Sequence, residues 1–275
     1  MIQDVYGFPI DVEQYQDFGF IWNYGQPFLV QAVPEKGLVC FGIESPQYGR
    51  LCLRFAGAAL SGGLAPNIAE SILYQSMPIY QALYPHPALI KLQGHGPAAG
   101  GYAAIFRWPE GNDLHQPGMQ QQLQRQPLLS SLRMIDSVFD FHLYAASAGY
   151  VPVGFSDACL TADLAAGTLT LCEIGLYRRL PAVNDQGRMY GASQFMSPEE
   201  YTLGAPLDAL TAQYAMGALA FFFFGAYSSH ERAAWMAGEE LFRVADRACS
   251  PQREKRYPSL EAFVADWRKA AGKTV

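Results

Sequence analysis

The stretch from 191 to 225, GASQFMSPEEYTLGAPLDALTAQYAMGALAFFFFG, constrains this chain more than any other. A polar triplet, Ser197-Pro198-Glu199, is followed by the Gly204-Ala205 loop and Asp208, then by an apolar helix that opens with Tyr214 and Met216-Gly217. The longest apolar run, 215 to 227, is about 13 residues. A bilayer span needs about 20, so this is a helix for a protein interior and no membrane span is expected. With 275 residues, half of them apolar and 16% charged, the chain can bury one large domain or two lobes.

Charge and cysteine usage narrow the partners. The net charge of −6 is spread without a basic run, so neither nucleic acid nor an anionic membrane surface is an expected partner. Cys40, Cys52, Cys159, Cys172 and Cys249 show no paired metal-like spacing, and their odd number fits reduced, buried thiols. The start, MIQDVYGFPIDVEQ, has early acidic residues and no basic stretch before an apolar one. It does not read as a signal peptide, and a cytoplasmic location is the expectation.

Periodicity divides the chain. From Phe18 to Phe55, short runs rich in Phe, Val, Ile and Leu alternate with turn signals at 23–25, 34–37 and 47–50, the pattern of an antiparallel sheet. From 65 to 84 the apolar residues Ile68, Ile72, Leu73, Ile79 and Leu83 recur at helical spacing, interrupted by Pro78. Strands are predicted at 89–92 and 102–108 and a loop at 109–113. Helices are predicted at 120–148, 198–202, 208–226, 231–248 and 258–271, with short strands embedded between 150 and 178. Periodicity alone makes this an α+β chain.

In this order of parts the chain resembles the protein kinases of bacteria, over residues 20 to 270. Ser197-Pro198-Glu199 stands where kinases carry Ala-Pro-Glu. The resemblance implies a two-lobed protein-kinase-like fold, with a β-rich N-lobe at 1–110 containing one helix and a helical C-lobe at 111–275. Residues 1–17 would be an N-terminal extension. It also implies ATP or another nucleotide, with Mg²⁺ or Mn²⁺, as cofactor.

Several kinase stations hold other residues. Gly37 and Gly42 bracket the candidate loop over the phosphates, although two glycines at this spacing also suit an ordinary β-turn. Arg54 takes the place of the strand lysine, with Glu70 as its helix partner; a planar fork is no conservative replacement for a compact ammonium. Residues 105–114, including Trp108 and Glu110, resemble the hinge that would meet an adenine. In 150–160 Gly154 replaces the catalytic aspartate and Cys159 the metal-binding asparagine. Glu173-Ile174-Gly175 replaces Asp-Phe-Gly, and Ala212 stands where an aspartate supports the catalytic loop. Losing a positioned base costs about 10²- to 10⁴-fold in rate. Glu199 and Arg256 suit the buried ion pair of the kinase C-lobe.

A rival assignment makes Asp157 the base, with Asp163 or Glu173 holding metal; a loop-capping role for Asp157 is the alternative. His86, His95, His115, His142 and His230 lack zinc spacing and read as packing or surface residues. Arg178, Arg179 and Arg188 flank the segment in the place of an activation loop, as an anion site or a solvated face. Ser193 and Ser197 are hydroxyl modification sites by position only. Three functions remain open. The first is a pseudokinase that binds a protein partner and retains weak nucleotide affinity. The second is an atypical phosphotransferase using Asp157 and Glu173. The third is a scaffold that takes no nucleotide because Phe41, Phe55 and Tyr74 fill its cleft.

Overall fold

Tyr6 and Gly7, both at positive φ, turn the start of the chain back on itself, so that β1 (Ile2–Val5) pairs antiparallel with β2 (Phe8–Asp11). Three longer strands follow, β3 (Gln26–Val33), β4 (Leu38–Ser45) and β5 (Gly49–Ala56). After helix α1 (Pro66–Leu83) come β6 (Leu92–Ala98) and β7 (Gly101–Arg107). The five strands make one antiparallel sheet in the order β3-β4-β5-β7-β6. This computed structural model describes residues 1–226 and 229–274. The chain divides into two compact units, Met1–Pro85 with Ile90–Pro109, and His86–Leu89 with everything from Glu110 onward.

Alternation along the strands gives the sheet two different faces. Val30, Phe41, Ile43, Leu51, Leu53, Phe55 and Ala103 point to one side, where Val5, Ile10, Val12, Phe18 and Ile21 cover them. Phe18 lies 5.3 Å from Phe41 and 5.9 Å from Phe55, ring to ring. Val5, Ile10 and Val12 are buried in the same cluster, so residues 1–17 hold a folded hairpin that forms a layer of the core. Phe41 and Phe55 are committed to that layer, and Tyr74 is 61% exposed, so none of the three fills the other face. The other face carries Gly42, Cys52 and Phe106 in one cross-strand row and Cys40, Arg54 and Ala104 in the next.

Helix α1 packs there through Tyr80, whose ring is 5.0 Å from that of Phe106. Its start suits Pro66, which has no N–H to leave unsatisfied in the first turn. Pro78 does not interrupt it, because Met77 and Tyr80 on either side are buried and hold the turn in place. Ala69, Leu73, Met77 and Tyr80 form the buried stripe; Ile68 and Ile72 are 48% and 40% exposed, so the expected face is rotated toward solvent. The strand expected at 89–92 begins at Leu92 instead, hidden by the strand-poor residues Gly94, Gly96 and Pro97. Leu89 makes an isolated bridge to Leu171.

The second unit opens with β8 (Asn112–Asp113), α2 (Met119–Gln124) and α3 (Leu128–Ser147). Pro127 divides what the sequence pattern joins into a single helix. Short strands follow at β9 (Tyr150–Val151), β10 (Leu160–Asp163), β11 (Thr168–Leu171), β12 (Arg178–Arg179), β13 (Ala182–Val183) and β14 (Pro206–Leu207). They pair as β11-β10-β8, β12-β9 and β13-β14.

Helices α4 (Ala209–Phe224), α5 (Glu239–Ala248) and α6 (Leu260–Thr274) complete the unit. Gln213, a polar residue inside the buried α4, donates to Tyr257 O and Ser259 O and accepts from the Tyr257 N–H. The expected helix at 231–248 is shorter, since Gly238 at φ 83° starts α5 and only a 3-10 turn precedes it at Arg232–Ala234. Among the described residues no helix is long and apolar enough to cross a membrane.

Candidate functional site

In the first unit the residues expected to cover phosphates form no open loop. Pro34–Lys36 is a 3-10 turn between β3 and β4, and Gly37 closes it at φ 64°. The Pro34 carbonyl accepts from the N–H groups of Gly37 and Leu64, at 2.9 and 3.1 Å. A Cβ on Gly37 would lie 2.5 Å from that of Ala69, so only glycine lets this turn rest against the start of α1. Gly42 lies within β4, paired with Leu29 and Cys52. Its missing side chain is the space taken by Phe28 and Trp108, where a Cβ would come within 2.6 and 2.9 Å of those rings. The two rings meet edge to face at 4.9 Å, and Arg50 stacks over both.

Arg54 is buried, as a cation seldom is without compensation. Its Nη1 donates to Tyr80 Oη at 3.1 Å, and the guanidinium lies 4.8 Å from the Phe106 ring centre. Tyr80 is ten residues past Glu70 on α1, a rise of about 15 Å. Arg54 thus meets α1 at its C-terminal half, and the half-buried Glu70 is not part of that contact.

In the second unit Gly154 has φ 68°, a left-handed conformation that disfavours a side chain. A Cβ there would also approach Leu176 Cδ1 to 2.8 Å. The Cys159 thiol is buried and donates to the Gly154 carbonyl at 3.6 Å, closing the loop on itself. Asp157 is buried at the start of a 3-10 turn and accepts from His115 Nδ1 at 3.0 Å, while the His115 side chain is 64% exposed. Glu110 is exposed.

The carboxylates named as metal ligands serve turns. Asp163 Oδ1 accepts the N–H groups of Ala165 and Ala166, each at 3.0 Å, and so caps the β10–β11 turn. Glu173 Oε1 accepts the Gly175 N–H at 3.2 Å. Leu160 pairs with Leu171, which places Asp163 at one end of this hairpin and Glu173 beyond the other. The separation is on the order of 15 Å along the strands, too far for one ion. Nearby, His142 is buried, with Nδ1–H donating to Val138 O at 2.7 Å and Nε2 accepting from Tyr177 at 2.8 Å. Burial lowers its pKa to about 4, leaving the ring neutral.

Glu199 is treated differently. Arg256 grips it with Nη1 at 2.7 Å and Nη2 at 3.0 Å, both partners buried. Arg253 Nη1 at 2.5 Å and Thr211 Oγ1 at 3.1 Å add to the same carboxylate. Arg253 also reaches both oxygens of Asp208, which caps α4 through the Leu210 N–H. Burial opposes ionisation of Glu199, but Arg256 and Arg253 outweigh it and hold the carboxyl below its usual range. Its neighbour Glu200, accepting from Ser197 N–H and Oγ, is pushed up to about 7, first by burial and further by the Glu199 charge. Ala212 is buried on α4 and brings no charge to the loop.

Sequence reasoning missed Phe28 and Tyr80, and read His115 as a packing or surface residue without its partner Asp157. A bulge between Pro27 and Leu29 re-aims Phe28, and nothing in the sequence marks it. Tyr80 was discoverable, lying one turn past Ser76 and Met77 on the buried stripe.

The fold has counterparts among solved structures. PpkA-294 in its apo form superimposes with a TM-score of 0.65 at 16% identity, covering 86% of this chain and 94% of that one. The PknI kinase domain of Mycobacterium tuberculosis, a point mutant, gives 0.59 at 17% identity, covering 90% and 95%. No family model and no curated protein matches the sequence. The second neighbour is a kinase domain by name, and at these identities the likeness of both speaks to fold alone. The chain has a two-lobed protein-kinase-like fold, with an antiparallel sheet and one helix in the first lobe and a mainly helical second.

Proposed function

We propose that this protein is a pseudokinase: a regulatory or binding module that engages a protein partner and does not transfer phosphate. The observation that carries this reading is Gly154. Where a kinase positions its base, this chain has a left-handed residue without a side chain, crowded by Leu176. The other stations support it. The cation Arg54 is engaged by Tyr80 and Phe106, the turn at 34–37 rests on α1, and Phe28 with Trp108 covers Gly42. Glu173 already accepts the Gly175 N–H, and the Cys159 thiol, a poor ligand for a hard cation, is turned to the Gly154 carbonyl, so the donor set fits a kinase nucleotide–metal complex poorly.

The test is a thermal-shift titration with ATP, ADP, GTP and AMP, with and without Mg²⁺ or Mn²⁺, alongside transfer from γ-labelled ATP. A ligand that binds only the native state raises its melting temperature. The expected result is no metal-dependent shift and no label transferred. A metal-dependent shift together with transfer to any acceptor would sink the reading; a shift without metal dependence would make the module a nucleotide sensor.

One observation favours an atypical phosphotransferase instead. Asp157, proposed from sequence as the base, is buried and holds Nδ1 of an exposed imidazole, the arrangement in which a carboxylate orients a histidine base. On this reading His115 accepts the proton and Asp157 orients it. Transfer abolished in His115→Ala with the fold intact would be required.

A further inference from the structure

Two pairs of like charges face one cavity in the second unit. Arg243 and Arg247 stand one turn apart on α5, Lys269 and Lys273 one turn apart on α6, and all four line a cavity of about 280 Å³. Like charges four residues apart oppose the helix that carries them, and the chain as a whole is acidic. Two carboxylates, Glu240 and Asp266, also line the cavity, so four cations against two anions leave an excess of two positive charges.

Both carboxylates are already engaged. Glu240 accepts from Arg243 Nη2 at 2.6 Å, and Asp266 accepts the Tyr257 hydroxyl at 2.7 Å. Arg247 is fixed by carbonyls, Lys255 O at 3.2 Å and Arg256 O at 3.5 Å, and lies 4.0 Å over the Tyr257 ring. Among the described residues neither Lys269 nor Lys273 makes an ion pair, and Arg247 meets no carboxylate. A guanidinium already held by backbone has little freedom to lose on binding. The cavity falls below the ~300–1,000 Å³ of small-molecule sites, which suits side chains better than a cofactor.

We infer that this groove between α5 and α6 docks an acidic segment of a partner protein, whose carboxylates meet Arg247, Lys269 and Lys273. The inference names the partner chemistry for the binding role proposed above and rests on that reading. Its test does not touch the phosphate-handling positions, so the two fail separately.

The experiment is fluorescence anisotropy of a labelled Glu-rich peptide of about ten residues with the full chain, at ~20 mM and ~0.5 M salt. Parent protein is expected to bind at low salt and release the peptide at high salt. Lys269→Glu combined with Lys273→Glu should weaken binding by about tenfold or more, and Lys269→Arg with Lys273→Arg should keep it. Circular dichroism checks that both variants fold. Undetectable binding to the parent, or equal binding to parent and charge-reversed chains, overturns the proposal. So does tighter binding of an otherwise neutral phosphoserine peptide, or displacement by millimolar inorganic phosphate, either of which would make the groove a phosphate site.

Discussion

Glu199 and Gly154 belong to the same unit, and their surroundings differ in kind. Around Glu199 four donated hydrogen bonds from Arg253, Arg256 and Thr211 converge on one buried carboxylate, and the network continues through Arg253 to the cap of α4. Around Gly154 the contacts are of another kind, the Cys159 thiol on the Gly154 carbonyl and the Asp157 carboxylate on the imidazole of the distant His115. The difference follows from what each change costs. A charge removed from the first network strands its partner in low dielectric, whereas a catalytic carboxylate can be lost without any penalty to the fold, and its loss often relieves repulsion. On the reading proposed above, architecture and phosphate chemistry are separable in this fold: the network around Glu199 is in place, while Gly154 carries no side chain.

The sharpest way to break this contrast is at Arg256. Arg256→Ala leaves Glu199 buried with half of its donors, and is expected to lower unfolding free energy by about 3–5 kcal/mol in urea titration. A loss below about 1 kcal/mol would mean that Arg253 alone holds the carboxylate, and that the network is less integral than its burial suggests.

The next effect is read through pH. Glu200, raised to about 7, binds its proton more tightly folded than unfolded, so its contribution is full below about 4.5 and is lost as pH rises to 7. His142, lowered to about 4, has the opposite sign: its contribution is full above about 6.5 and is lost as pH falls toward 4. Each is worth on the order of 3 kcal/mol, and between pH 4.5 and 6.5 they oppose one another. The parent should show a nearly flat stability profile there and a decline toward pH 7. Glu200→Gln should instead rise with pH through that window and then level off. Identical profiles for the two proteins in urea unfolding at pH 5, 6, 7 and 8 would show that Glu200 does not titrate as its burial demands.

Gly154 gives a smaller change. Gly154→Ala must adopt φ 68° with a Cβ pressed toward Leu176, at a cost of about 1–2 kcal/mol. The flexible end of Leu176 can give way, so most of that cost is in the backbone. A neutral or stabilising Gly154→Ala would show that the loop is free to take another conformation, and would remove the main support for an inactive site.

These sites also show what could be read from the sequence. The buried α4, the Ser-Pro-Glu triplet and the glycine at 154 stand out because each is local: a run of apolar residues, a motif, a single residue in register. What escaped depends on residues distant in sequence. The covering of Gly42 needs Phe28, Trp108 and a bulge, three features that have no common pattern. The hairpin within residues 1–17 escaped because its strands are only four residues long and show no period-two apolar pattern, and only the burial of Val5, Ile10 and Val12 in the cluster that holds Phe41 and Phe55 makes it core. His115 and Asp157 lie 42 residues apart, and neither alone suggests a dyad.

The smallest expected effect is the most discriminating. Arg54→Lys combined with Gly154→Asp supplies the two residues that the kinase resemblance assigns to these positions, yet on the proposed reading transfer from γ-labelled ATP is expected to be undetectable. Lysine at 54 would regain a compact ammonium but lose the planar contact with Phe106, while Tyr80 remains within reach. Aspartate at 154 would project from a left-handed residue beside Leu176, far from the geometry of a positioned base, and a misplacement of about 1 Å alone can cost on the order of 100-fold. The turn at 34–37 would still rest on α1, and Phe28 and Trp108 would still cover Gly42. Transfer regained by the double variant would show that the surrounding structure had kept its competence, and that the contrast between a preserved frame and an altered site comes down to two side chains. Undetectable transfer in both parent and double variant would agree with the proposed reading and place the barrier in the backbone and packing around the site, beyond the reach of two side chains.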